Sequence, residues 1–296
     1  MDSKQETQLA RNRASQQART LGSELASSAA IELASKRVIA VYSEAGGATK
    51  TTTAVSLAVC AALAGLRTVL VDLDPRAAAT KWLGVAPGEE WRHIGAVLAH
   101  PEPTGWIEDL ALPSPWPQAP LLRIVPSARA VSNREKAAED HADIRLALAL
   151  EGVAADVVVL DLPNRQGGPI IQNALTAATD VLYAAKLDED GLDGLDGAAA
   201  AVRRFRDHRR LLGAPTQLRE AGIVVGAVRD TIMTLDSKRA LTEIATRYPR
   251  LLLRPLVPER VIVREARAAG DYHGFYARGA LVHDTYTELL RKVLTP

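Results

Sequence analysis

The sequence predicts an α/β fold: a doubly wound, mostly parallel sheet flanked by helices. Three observations predict it. Short β-branched runs alternate with helix-length amphipathic stretches from residue 36 onward. Several of these runs are almost continuously apolar, as in Thr68-Val69-Leu70-Val71 and Val157-Val158-Val159-Leu160, the pattern of strands covered by helices on both faces. The first run passes through a glycine turn straight into a helix-forming segment, the opening of a strand–helix crossover unit.

In chain order, residues 2–34 are rich in Ala, Ser, Gln and Arg and contain no Pro, so they read as a helix with sparse apolar positions at Leu9, Leu21, Leu25, Ile31 and Leu33. This gives an N-terminal helical extension over 1–35, either a loosely packed surface helix or an arm that contacts a partner. Residues 36–296 then form one doubly wound domain. Its strands are expected at 37–42, 67–73, 121–125, 156–162, 180–185, 221–228 and 251–257. The stretch from Pro101 to Pro120 reads as a surface excursion and as the place for local flexibility. The last segment, Ala280 to Leu294, is amphipathic through Leu281, Leu289, Leu290 and Val293. It is short and weakly basic, which favours a packed terminal helix over one lying on a membrane.

Composition narrows the function classes. A chain of 296 residues, 47% of them apolar, can bury a sizeable core. No apolar run approaches the ~20 residues that span a bilayer. The polar N-terminus lacks the build of a signal peptide, so the cytoplasm is the expected compartment. Cys60 is the single cysteine, which excludes an internal disulfide and any multi-cysteine zinc or iron–sulfur site. With a net charge of +1, any nucleic-acid binding must come from a local patch.

Three strand ends carry the chemistry. The first strand runs into Ser43-Glu44-Ala45-Gly46-Gly47-Ala48-Thr49-Lys50-Thr51-Thr52. A glycine turn ending in Lys-Thr at a helix start offers backbone N–H groups and the helix dipole to phosphates. The lysine reaches the β- and γ-phosphates and the next hydroxyl ligates Mg²⁺. Glu44 and Thr49 occupy the two glycine positions of the usual pattern, and a simple helix-capping turn is the alternative reading. The second strand ends at Asp72-Leu73-Asp74-Pro75 and the fourth at Asp161-Leu162-Pro163. An Asp after a strand is ordinarily a turn former or a helix cap. Two such ends beside a Lys-Thr loop point instead to carboxylates at the metal and the attacking water.

With these residues in view, the chain resembles the ParA/MinD family of deviant-Walker ATPases, and within it the ParA partition proteins. The resemblance rests on Val69 to Gly84, which contains Asp72-Leu73-Asp74-Pro75 and ends in Leu83-Gly84. It rests also on Asn173-Ala174-Leu175 with Ala177 and Asp180, and on Leu256-Val257-Pro258-Glu259 followed by Glu265-Ala266 and Gly270. It spans about residues 36 to 293. It implies ATP and Mg²⁺ as ligands, a homodimer formed on ATP, slow hydrolysis, and nonspecific DNA binding in the ATP state. It further implies a ParB-like adaptor that stimulates hydrolysis, nucleoid association, and no membrane partner.

By the same resemblance, Gly46, Gly47, Ala48, Thr49, Lys50, Thr51 and Thr52 hold the phosphates, and Pro258 and its neighbours line the adenine pocket. Thr51, Asp72 and Asp161 serve the metal, and Asp74 orients water. The family's signature lysine is Ala45 here, the glutamine after Asp-Pro is Arg76, and the arginine after Pro258 is Glu259. Thr49 is expected to be strained at a position that favours glycine. Arg165, in the loop after Asp161, is a candidate to replace the missing lysine across a dimer. Arg203, Arg206 and Arg210 share one helix face and, with Arg254, are the candidate DNA contacts. Three functions remain in play: partition of DNA, positioning of a protein cargo such as carboxysomes, and a nucleotide-gated scaffold with little turnover. A metabolic ligase on the same fold is the fourth and least supported.

Overall fold

The computed structural model describes residues 33–86, 91–136, 141–214, 216–229 and 233–295. The N-terminal extension therefore lies outside the described residues, apart from its last three positions. Leu33 packs, half-buried, against the core.

Seven strands form one sheet in the order β3-β4-β2-β5-β1-β6-β7. In sequence they are β1 (Arg37–Tyr42), β2 (Thr68–Asp72), β3 (Leu112–Pro113), β4 (Leu122–Val125), β5 (Val157–Asp161), β6 (Asp180–Ala185) and β7 (Arg219–Val225). All pair in parallel except β3, a two-residue edge strand antiparallel to β4. The doubly wound sheet predicted from the uninterrupted apolar runs is thus present. Every residue of β2, β5 and β6 is buried, as strands covered on both faces must be.

The helices divide between the two faces. On one face lie α1 (Lys50–Leu63), α2 (Ala78–Trp82) and the terminal α10 (Ala280–Leu294). The other carries α3 (Ile94–Ala99), α4 (Trp106–Leu110), α5 (Arg145–Ala149), α6 (Pro169–Ala177), α7 (Glu189–Leu211) and α8 (Leu235–Arg247). Between α8 and α10 runs α9 (Val261–Ala268). α10 packs on α1, burying Val282, Tyr286, Leu289, Leu290 and Val293, while Leu281 points outward. This is the packed terminal helix that its amphipathic pattern suggested. Among the described residues no helix is long and apolar enough to cross a membrane.

Two expectations need correction. Residues 251–257 do not form a regular strand. They meet β7 through isolated bridges, Ile223 to Leu252 and Val228 to Pro258, with backbone hydrogen bonds such as Leu253 N to Ile223 O at 3.0 Å. Pro255 and Pro258 have no N–H to donate, so a continuous ladder cannot form along this edge. The Pro101–Pro120 excursion is anchored: it contains α4 and β3, and it buries Ile107, Leu110, Trp116 and Ala119. The Trp116 indole donates to the Gly270 carbonyl at 2.7 Å, and the Trp82 indole donates to Asp271 O at 2.8 Å. Two tryptophans thus fix the loop that follows α9.

Candidate nucleotide site

Sheet register builds the acidic part of the site. In the parallel pairing of β2 with β5, Asp72 stands directly opposite Asp161 at the carboxyl edge. Both carboxylates are fully buried. Asp72 is held in place: its Oδ2 accepts from Thr80 N at 2.9 Å and Thr80 Oγ1 at 2.7 Å, and its Oδ1 accepts from Asp74 N at 3.1 Å. Asp161 is not, because both its oxygens are buried without a hydrogen-bond partner. Burial, and then the charge of Asp72, push the Asp161 carboxyl well above the usual carboxylate range. Thr51 and Lys50 pull the other way, though the Thr51 hydroxyl falls short of hydrogen-bond geometry. Burial likewise raises Asp72, against its hydrogen bonds.

A buried carboxylate with two unpartnered oxygens beside a second carboxylate calls for a proton or a cation. Among the described residues no group of three or more His, Cys, Asp or Glu could hold a metal by itself. Mg²⁺ needs no such cage, since one or two carboxylates with phosphates and water satisfy it. Thr51 and Asp161 therefore fit a magnesium site completed by a phosphate ligand. The Asp72 oxygens are committed to Thr80 and Asp74, so beside Asp161 it offers only its charge.

The phosphate side is the turn between β1 and α1. Thr49 precedes α1 with φ 64° and ψ 13°, the left-handed conformation that a β-branched residue resists. This is the strain expected at that position. The Thr49 side chain packs where a Cβ on Gly226 would stand, so the glycine after β7 makes room for it. Lys50 is buried, and its ammonium donates to Ala45 O at 2.8 Å across the turn. Desolvation lowers its pKa, opposed by Asp161 and Asp74. A cavity of about 380 Å³ opens over the turn, lined by Gly46 to Lys50, Asp74, Arg76, Lys81, Asn164 and Arg267 among others. Asp74 is fixed by its neighbours: Arg76 N donates to its Oδ1 at 2.8 Å and Ser127 Oγ to its carbonyl at 2.7 Å.

The front of the turn rests on α7. Glu44 N donates to Gly194 O at 3.1 Å. Gly191, Gly194 and Gly197 recur every three residues on that helix. A Cβ on Gly194 would overlap the Ala45 backbone, and one on Gly197 would meet the end of the Glu44 side chain. Gly194 and Gly197 thus seat the phosphate turn, while a Cβ on Gly191 would meet Lys186 and Asp188 instead.

Several predicted residues do not join this site. Arg165 faces Glu135 at 3.4 Å and does not line the cavity of its own chain. Pro258 is buried and bridges Val228, so it stands behind the second cavity rather than in it. That cavity, about 510 Å³, is lined by Lys186, Asp188, Val228, Met233, Ser237 and Glu259 among others. Arg206 is turned inward, donating to Leu218 O and lying 3.5 Å from Glu220. Arg203, Arg210 and Arg254 are exposed.

Two lining residues carried no sequence signal strong enough to single them out. Lys186 directly follows β6, and its ammonium lies 3.6 Å from where a Cβ on Gly47 would stand. Asn164 similarly faces Gly46 at 3.5 Å. Their positions just past strand ends were the signal available.

Residues 36–212 match the model of an AAA domain family, which covers more than half of the chain. The chromosome-partitioning ATPase Soj of Thermus thermophilus is 30% identical over 258 residues, 87% of this chain and 95% of that protein. The chain belongs to the ParA/MinD family of P-loop ATPases. Another member, the chromosome partitioning protein ParA of Myxococcus xanthus, is 28% identical over 79% of each chain. Among solved structures, the Cyanothece McdA–ATP complex superposes with a TM-score of 0.73 at 19% identity, covering 88% of this chain and 96% of that one. Cobyrinic acid a,c-diamide synthase of Mycobacterium smegmatis, with an ATP analogue and magnesium, gives 0.66 at 24%, covering 86% and 93%. Both structures share the fold of this ParA/MinD member.

Proposed function

We propose that this chain binds ATP with Mg²⁺, dimerises on it, and hydrolyses it slowly to drive partition or positioning of a DNA cargo. The observation that carries this reading is the convergence of Lys50, Thr51, Asp74 and the unpartnered Asp161 at one sheet edge, beside a turn whose residues Gly46 to Lys50 line a cavity. The partition ATPases among its relatives support the cargo half of the reading.

In this scheme the N–H groups of Gly46 to Thr52 and the Lys50 ammonium, released from Ala45 O, take the phosphates. Thr51 and Asp161 hold Mg²⁺, which when bound offsets phosphate charge. Asp74 orients the attacking water, its carboxylate already held by the Arg76 amide. Lys186 and the second cavity lie on the β6–β7 side of the turn and receive the rest of the nucleotide. Exposed Arg203, Arg210 and Arg254 contact DNA backbone, and dimerisation doubles their number. An adaptor protein stimulates turnover. The protein acts in the cytoplasm, on nucleoid DNA.

A second reading, a nucleotide-gated scaffold with little turnover, is favoured by Ala45 and by the left-handed Thr49. Calorimetry with ATP and phosphate release with and without DNA separate the two. Lys50→Ala is expected to lose most ATP affinity, whereas Asp74→Ala keeps ATP and loses turnover. Unchanged ATP affinity in Lys50→Ala removes the phosphate assignment. ATP binding without phosphate release, at any DNA concentration, leaves the scaffold.

A further inference from the structure

The cavity over the phosphate turn has a cationic wall that the turn itself does not supply. Four cations line it, Lys50, Arg76, Lys81 and Arg267, against one carboxylate, Asp74. Only Lys50 belongs to the turn. The leading residue of the turn, Ala45, brings no charge and is seated on α7. The other three cations come from the segment after β2 and from α9, on the side of the cavity away from Lys186.

Arg76 is the best placed of them. It sits in a turn closed by Ala77 N to Asp74 O at 2.8 Å, with its own N–H on Asp74 Oδ1 and its carbonyl receiving Lys81 Nζ at 2.8 Å. The backbone that carries it is therefore fixed at both ends. Its charge is felt by Lys50, whose pKa it lowers. Among the described residues its guanidinium has no carboxylate partner, so no ion pair must break before it takes a ligand. Arg267 beside it is committed to the Trp82 ring, its guanidinium carbon 5.5 Å from the centroid. A free guanidinium on a rigid turn thus shares one cavity with Lys50 and Asp74, and planar guanidinium groups suit phosphate oxygens.

We propose that Arg76 binds the terminal phosphate of a nucleoside triphosphate held in its own subunit, and so makes the site select triphosphate over diphosphate. This rests on the nucleotide reading above and adds to it a residue that discriminates between the two. The interaction is made within one chain, so the preference does not require a second copy.

The test is equilibrium binding of a non-hydrolysable ATP analogue and of ADP, both with Mg²⁺, at one ionic strength and at protein concentrations that keep the chain monomeric. Wild type, Arg76→Gln, Arg76→Lys and Lys50→Ala are compared. Removing a charge-assisted hydrogen bond from the terminal phosphate lowers analogue affinity about tenfold to a hundredfold. Arg76→Gln should show that fall while ADP affinity stays within about twofold, the scatter expected of an exposed substitution. Arg76→Lys should recover part of the loss, and unchanged ADP binding shows that the variants are folded. If wild type binds both ligands, Lys50→Ala binds neither, and Arg76→Gln keeps the wild-type ratio, this inference is overturned and the nucleotide reading stands. If wild type binds neither ligand, the nucleotide reading falls and takes the inference with it.

Discussion

The seat of the phosphate turn on α7 gives a sharp prediction about two glycines three residues apart. Replacing a helix-interior Gly by Ala ordinarily stabilises by about 1 kcal/mol. At Gly194 the new Cβ would overlap the Ala45 backbone, whose Cα would lie 2.8 Å away. That backbone cannot swing aside, because Glu44 N is bonded to Gly194 O and Lys50 to Ala45 O. Overpacking of this kind costs about 1–3 kcal/mol, so Gly194→Ala should lose about 1 kcal/mol net. At Gly197 the obstacle is the far end of the Glu44 side chain, which can rotate away. The cost is at most the Tyr42–Glu44 hydrogen bond, 3.1 Å long and worth about 1 kcal/mol. Gly197→Ala should therefore lie within about 0.5 kcal/mol of wild type. Urea unfolding of both variants measures the difference. If Gly194→Ala proves as stable as Gly197→Ala, α7 is not the seat of the turn.

Three further expectations follow from the site and the surface. The Asp161 carboxyl titrates above its unfolded value, so between the two pKa values the folded chain holds a proton that the unfolded chain has released. Stability without magnesium should therefore fall as pH rises from the ordinary carboxylate range through the raised folded pKa. Asp161→Asn should flatten that fall in denaturant unfolding at pH 5 to 8, and an unchanged slope would mean that Asp161 is not the group responsible. For DNA, the log–log salt dependence of binding should weaken by about 0.9 for each phosphate that Arg203→Ala or Arg254→Ala leaves without its arginine, measured with ATP present. Arg206→Ala should lower stability instead, since its guanidinium is engaged by Glu220 and Leu218; a DNA defect without a stability change would reverse that assignment.

The sheet was legible because its central strands are buried on both faces and their sequences show it without interruption. The acidic site was legible for a related reason: a carboxylate at the end of such a strand has one place to go, and register sets Asp72 beside Asp161. Residues 251–257 have the apolar content of a strand, but Pro255 and Pro258 have no N–H to donate to a ladder. Arg206 misled because helical spacing gives the face on which a side chain starts but not the neighbour it meets, here Glu220 from β7. Lys186 was hidden for the opposite reason: a single lysine after a strand has no pattern of its own, and only the crossing of β6 past the phosphate turn gives it meaning. The glycines of α7 are visible at regular spacing, yet what Gly194 and Gly197 make room for lies in a loop more than a hundred residues away in the chain.

The tethering of the loop after α9 by indole N–H groups has an optical consequence. Trp82 is only 1% exposed, yet it belongs to the lining of the phosphate cavity and carries Arg267 over its ring. Trp116, 4% exposed, reports on the same loop from the other side, whereas Trp91 is 53% exposed. The emission spectrum should therefore contain a short-wavelength component from Trp82 and Trp116, a long-wavelength one from Trp91, and an intermediate one from half-buried Trp106, whose ring lies against His100. An anion that draws Arg267 off the Trp82 ring would change the first without touching the second. The protein thus contains its own fluorophore for ligand arrival, with Trp82→Phe as the variant that should silence it.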